Sequence, residues 1–245
     1  MIYLFHIIFY QPILNLVVWL YDIIPGNSLA LAIIALTVII KLILWPLSKK
    51  SIKAQKSLQD LQPKINDLKA KYKDNKEQMG KALISLYKEN NVSPFSSCLP
   101  LIIQLPFLWA VFKVFRDGIA NNLDQVYSFI RVPETINSFW LGADLSTPNT
   151  YLAILAGLAQ FFQARMLMAK KPKIKNKGAK DENMAAIMSQ QMTYFMPVIT
   201  VFIGLTLPGG LTLYWFILTL LTILQQVLLF RNNPKDKDTE VEVVN

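Results

Sequence analysis

Lys41 is the residue whose chemistry sits least easily with its surroundings. It lies inside Ser28–Leu47 (SLALAIIALTVIIKLILWPL), a run otherwise long and apolar enough to cross a bilayer. A charge near the bilayer centre costs about 2.5–3.5 kcal/mol on insertion scales, so it faces a bundle interior or a watery cavity. Thr37, Lys41 and Trp45 follow one another at helical spacing and are expected on one face, with Thr37 available to hydrogen-bond near the ammonium. Other apolar segments add Gln104, Gln160, Gln163, Thr200, Thr212, Tyr214, Thr219, Thr222, Gln225 and Gln226. A groove lined by such groups and one cation would hold water and ease the entry of a polar segment into the membrane. The chemistry would be electrostatic attraction, not bond making. A plainer reading uses the same residues. Lys41 stands six positions before Leu47, about 9 Å at helical rise. Its stem can snorkel to the headgroups, and Gln and Thr can simply bond neighbouring helices.

Other chemistries find few residues. His6 is the single histidine and Cys98 the single cysteine, which leaves no internal disulfide and argues against a metal site. Ser96, Ser97 and Cys98 have no partnering histidine in any plausible span, and no acidic pair falls within the apolar segments. No enzyme, cofactor or metal is expected.

The elements that must hold these residues are membrane helices. The 245 residues are 53% hydrophobic, with a mean hydropathy of +0.35 and a net charge of +9, values that fit a small polytopic helical membrane protein. Segments 28–48, 98–115, 149–168 and 211–230 reach or approach the roughly 20 apolar residues of a spanning helix. A shorter one, Met192–Leu207, ends at Pro208-Gly209-Gly210, a tight turn that makes the last two spans antiparallel neighbours. Residues 1–27 are apolar but lack the charged start and small-residue cleavage site of a signal peptide. They could form another span or an amphipathic helix in the outer interface. Pro12, better suited to the first turn of a new helix than to mid-span, favours the interfacial helix.

Charge sets the expected orientation. Segment 49–94 carries eleven lysines against five acids, and 165–182 carries Arg165 and six lysines against two acids. By contrast, 117–148 holds Arg131 alone against four acids. The positive-inside rule then places 49–94 and 165–182 in the cytoplasm and 117–148 outside. The result is five spans, N-terminus out and C-terminus in.

Segment 49–94 reads as a helical hairpin. Leu58, Leu61, Ile65, Leu68 and Tyr72 recur at spacings of three and four, with a kink or restart at Pro63, and Met79, Leu83, Leu86 and Tyr87 repeat the pattern after Asp74-Asn75. Its lysine-rich outer face is either a solvated face or a surface for anionic headgroups or client recruitment. The cytoplasmic loop 169–190 reads as flexible and basic, and the mixed tail 231–245 as disordered. The remaining four spans occupy 95–230.

These residues carry a resemblance to the YidC/Oxa/Alb family of membrane-protein insertases, in the short form without a large extracytoplasmic domain. It rests on Gln11-Pro12 with Trp19, on Ala30–Leu47 ending in Pro46-Leu47, on Leu61-Gln62-Pro63-Lys64 and on Leu86-Tyr87-Lys88. It continues through Asn91–Phe95, Cys98–Leu101, Gln104-Leu105-Pro106, FWLGADLS at Phe139–Ser146, Phe195-Met196-Pro197, Pro208–Trp215 and Gln225-Gln226. The resemblance implies a multi-pass protein of the bacterial plasma (inner) membrane, with five spans around a hydrophilic groove open to cytoplasm and lipid and closed to the outside. Its clients would be nascent membrane proteins, with the Sec translocon and ribosome as further partners. Lys41, with Thr37 one turn earlier, matches the groove's basic position, where family members usually carry arginine. Lysine keeps the charge but loses the planar fork of donors. Tyr214 and Trp215 match an aromatic pair along the client's path, and Gln104 joins the groove. Ser96-Ser97-Cys98 replaces the usual Gly-Gly-Cys, and the tail lacks the long basic extension of several relatives. The rival reading is a small-molecule or ion transporter using Lys41 as counter-charge; the chain shows no internal repeat to support it.

Overall fold

The computed structural model describes residues 2–73, 75–93, 99–166 and 194–231. The loop 169–190, the tail beyond Arg231, and Ser96, Ser97 and Cys98 lie outside the described residues.

The N-terminal apolar stretch forms one continuous rod: α1 (Ile2–Phe5), a π turn (His6–Tyr10) and α2 (Gln11–Ile23). Pro12 therefore does not open a separate helix. It falls two residues past the π turn, whose wider winding accommodates a residue that lacks an N–H and whose ring crowds the preceding turn. The rod buries Leu14, Val17, Val18 and Tyr21 and leaves Trp19 exposed. At 21 residues, Tyr3–Ile23 is long and apolar enough to cross a membrane.

Helix α3 (Leu29–Ile43) stops before the end of the expected 28–48 span. At Leu44 the chain bends by 70° into α4 (Trp45–Asp60). Pro46 supplies the reason. It cannot donate to the carbonyl four residues back and its ring would crowd that turn, whereas the first turn of a new helix tolerates it. The bend also removes Trp45 from the helix that carries Thr37 and Lys41.

Helix α5 (Gln62–Lys71) restarts at Pro63, as the sequence requires, and α6 (Lys76–Glu89) returns against it. Leu61 and Ile65 are buried in this hairpin, Leu86 and Tyr87 half-buried. The Asn75 side chain caps α6 by accepting from the Gln78 N–H at 3.0 Å. Helices α5 and α6 pair as a helical hairpin. Its stem, α4, begins at Trp45.

Helices α7 (Leu99–Arg116), α8 (Thr150–Met166), α9 (Tyr194–Gly204) and α10 (Gly209–Arg231) complete the bundle. Helices α2, α3, α7 and α10 share a core of Leu14, Ile33, Leu36, Val111, Val114, Leu211 and Leu213. Helix α10 packs against both α3 and α8. Helices α8 and α9 approach so closely that a Cβ on Gly157 would collide with the Val201 side chain and one on Gly204 would meet Ala153 Cβ at 2.9 Å, a small-residue contact typical of membrane helix pairs. Gly209–Phe230 is long and apolar enough to span alone, and α3 with α4 passes that test only as a bent pair.

The loop between α7 and α8 is strapped to the N-terminal rod. It holds a 3-10 turn (Ile119–Gln125) and a two-stranded antiparallel ribbon, β1 (Phe139–Trp140) and β2 (Ala143–Asp144). Asn15 accepts from the Tyr127 N–H at 2.6 Å and donates to the Gln125 carbonyl at 3.3 Å. Tyr21 Oη accepts from the Asn137 N–H at 2.7 Å. The first N–H groups of α10 are satisfied from the same loop: Gly209 donates to the Thr147 carbonyl at 2.9 Å and Gly210 to that of Leu145 at 2.8 Å.

Candidate functional site: a polar seam between α3, α4 and α10

Lys41 lies in the last turn of α3, where the helix dipole favours a cation. It is 7% exposed, and an ammonium so buried must be hydrogen-bonded to be tolerated. Nζ donates to Thr222 Oγ1 of α10 at 2.9 Å and, over a longer 3.4 Å, to Ser48 Oγ of α4. Ser48 in turn donates to Gln225 Oε1 at 2.9 Å, and Gln225 Nε2 reaches the Trp45 carbonyl at 3.4 Å. This chain of polar groups closes across the 70° bend and joins three helices. Among the described residues Lys41 has no carboxylate partner; its contacts are the neutral hydroxyls of Thr222 and Ser48.

The expected site residues divide in two. Thr37 is fully buried on the Lys41 face, but its Oγ1 donates to the Ile33 carbonyl of its own helix at 2.6 Å, as mid-helix threonines commonly do. Trp45 contributes a carbonyl from beyond the bend. Gln104 of α7 donates through Nε2 to Tyr214 Oη of α10 at 2.6 Å, forming a second polar contact. Tyr214 is fully buried and Trp215 half-buried. On α10, Tyr214, Thr222 and Gln225 fall on one stripe at helical spacing, so the two polar contacts share a helix face.

Sequence alone does not single out Ser48 or Ser51, because a straight 28–48 span puts Ser48 at the membrane edge and Ser51 beyond it. The signal that could have found them is Pro46 followed by two serines one turn apart. Ser51 Oγ and Gln226 Oε1 are buried without a protein partner among the described residues, so the polar residues next to Ser48 and Gln225 have more hydrogen-bonding capacity than the described fold uses. Gln160 of α8 pairs instead with Thr200 of α9 at 2.5 Å, a bond between helices away from Lys41.

A helical bundle with apolar helices of membrane-span type and a buried ammonium in a seam of hydroxyls and amides defines a polytopic membrane protein. Comparison with known proteins gives that class a family. A profile described as 60Kd inner membrane protein matches residues 19–237. Membrane protein insertase YidC 2 of Listeria innocua is 34% identical over 239 residues, covering 95% of this chain and 74% of the relative. Membrane protein insertase YidC of Clostridium tetani is 32% identical over 204 residues, covering 83% and 82%. A crystal structure of active YidC insertase with its first transmembrane domain resolved superposes with a TM-score of 0.59 at 27% identity; it covers 94% of this chain, which spans 46% of that longer one. The chain belongs to the 60Kd inner membrane protein (YidC/Oxa) family of bacterial inner-membrane insertases.

Proposed function

We propose that the polar seam is the client path of this insertase, and that Lys41 draws the acidic or hydrophilic outer segment of a nascent membrane protein into the bilayer. The observation that carries this reading is the bond pattern of Lys41: a buried cation held by Thr222 and Ser48, with no acid among the described residues neutralising it. Thr37 and Gln104 line the path with it, and apolar client helices leave past Tyr214 and Trp215. The orphan oxygens of Ser51 and Gln226 support a path that accepts polar groups not supplied by the fold. The bilayer crossing comprises the five expected spans, N-terminus out and C-terminus in. The α5–α6 hairpin then lies in the cytoplasm, with its lysines facing ribosome or Sec partners. No ATP, cofactor or covalent step is invoked. The driving force is burial of the client's own apolar helix, assisted by the membrane potential acting on its charges.

Depletion of the endogenous insertase and rescue with Lys41→Ala, Lys41→Arg and Lys41→Glu tests this, scored by insertion of a client with an acidic outer tail. Arginine rescues, alanine is impaired and glutamate is worse. Equal insertion by all three would show that Lys41 is only a snorkelling side chain.

A further inference from the structure

The β1–β2 ribbon is closed by two residues, Leu141 and Gly142, with Phe139 opposite Asp144 and Trp140 opposite Ala143. Both loop residues have positive φ, 49° at Leu141 and 78° at Gly142. A two-residue loop of this hand favours Asn-Gly, because asparagine tolerates the left-handed region and a branched apolar side chain does not. Leucine is doubly misplaced here: strained in backbone, and 85% exposed. Phe139 beside it is 66% exposed. Neither the turn nor water accounts for these side chains.

The ribbon's position supplies an occupant. Trp140 packs on the core, Leu145 is fully buried, and the carbonyls of Leu145 and Thr147 hold the start of α10. Helix α8 begins six residues after β2 at Thr150, and its flank of Tyr151, Ile154, Leu155 and Leu158 is exposed and apolar, as a lipid-facing surface must be. The tip therefore adjoins the ends of two membrane helices. From Phe139 to Ala143 it carries no charge. The one acid of the ribbon, Asp144, is turned inward onto Ser138 Oγ at 2.6 Å and the Ser146 N–H at 2.8 Å. We infer that Leu141 and Phe139 insert into the lipid leaflet at the α8–α10 end of the bundle, anchoring the strapped loop to the bilayer. This surface is independent of the client path. Only the leaflet's name, outer, rests on the orientation proposed above.

The test is a nitroxide at Leu141→Cys in a Cys98→Ser background, with Glu134→Cys, an exposed charged position of the same loop, as the aqueous reference. Both proteins are reconstituted in phosphatidylethanolamine–phosphatidylglycerol vesicles and read by power saturation against oxygen and a nickel chelate. The label at 141 should favour oxygen and report a depth of about 5–10 Å below the phosphates, as interfacial apolar groups do. Accessibility matching that at 134 would overturn the inference. So would spin–spin broadening that disappears on dilution with unlabelled protein, since a second copy would then cover the tip. In a companion variant, Leu141→Asn suits the turn and keeps the ribbon folded, so a label at Phe139→Cys should move toward the aqueous reference. An unchanged depth at 139 would show that Leu141 is no anchor.

Discussion

Lys41 Nζ and Thr222 Oγ1 stand 2.9 Å apart although 181 positions separate them in the chain. The bond ties the last turn of α3 to the middle of α10, and Ser48 brings α4 into the same contact. Thr222 itself donates to the Leu218 carbonyl at 2.7 Å, which leaves its lone pairs turned toward the ammonium. Replacing it by valine keeps the shape and removes the acceptor. Thr222→Val should destabilise the protein by about 1.5–3 kcal/mol, the range for hydrogen bonds to charged groups, measured by thermal unfolding in nanodiscs. Thr222→Ser should recover most of the loss.

Two glycines should respond in opposite directions to the same change. Gly157→Ala puts a methyl into the Val201 side chain, with the Pro197 carbonyl at 3.1 Å, and should cost about 1–3 kcal/mol through overpacking. Gly80 lies in α6 with nothing near its missing Cβ. Gly80→Ala should therefore stabilise the hairpin by up to about 1 kcal/mol, the helix-propensity difference. Unfolding midpoints of the two variants, compared side by side, decide the matter.

Asn15 is 3% exposed and gives both ends of its amide to backbone groups, donating to Gln11 and Gln125 and accepting from Tyr127. Asn15→Leu fills similar space but orphans the Tyr127 N–H, a loss of about 1–3 kcal/mol for a buried donor. Hydrogen exchange at Tyr127 should accelerate, while exchange in α10 stays close to that of the unsubstituted protein. Uniform acceleration would mean that the strap is part of global stability.

Asp144 makes the ribbon acid-sensitive only far below neutrality. The Ser138 hydroxyl and then the Ser146 N–H stabilise its carboxylate and hold its pKa below the ordinary 3.8. A depressed value means that the ionised form favours the folded loop. That contribution is fully present above the ordinary value and fades as pH falls through the lowered one. Carboxyl carbon shifts recorded against pH should titrate with a midpoint under 3.8, and Ser138→Ala should move the midpoint upward.

Much of this protein was legible in its residues, for definite reasons. The hairpin arms follow from the three-and-four spacing of Leu61, Ile65, Leu68, Leu83 and Leu86, since an apolar stripe of that period has to be covered. The restart at Pro63 follows from its missing donor. Lys41 declared itself because a charge inside an apolar run has few tolerable surroundings. Tertiary structure decided the rest. Proline 46 signals a break, but no local rule states that the chain turns 70° there and carries Ser48 back toward Lys41. Likewise, Pro12 looks like a helix start until a π turn upstream absorbs it. The partners of Lys41 lie on α10, and which threonine or glutamine of a long apolar helix meets it depends on helix rotation and depth. Those are fixed by the core that Leu211 and Leu213 of α10 share with Ile33 and Leu36 of α3, a property of several helices at once. Sequence alone determined that a buried cation needs neutral or acidic company; only the assembled bundle decided that the company, among the described residues, is the hydroxyls of Thr222 and Ser48.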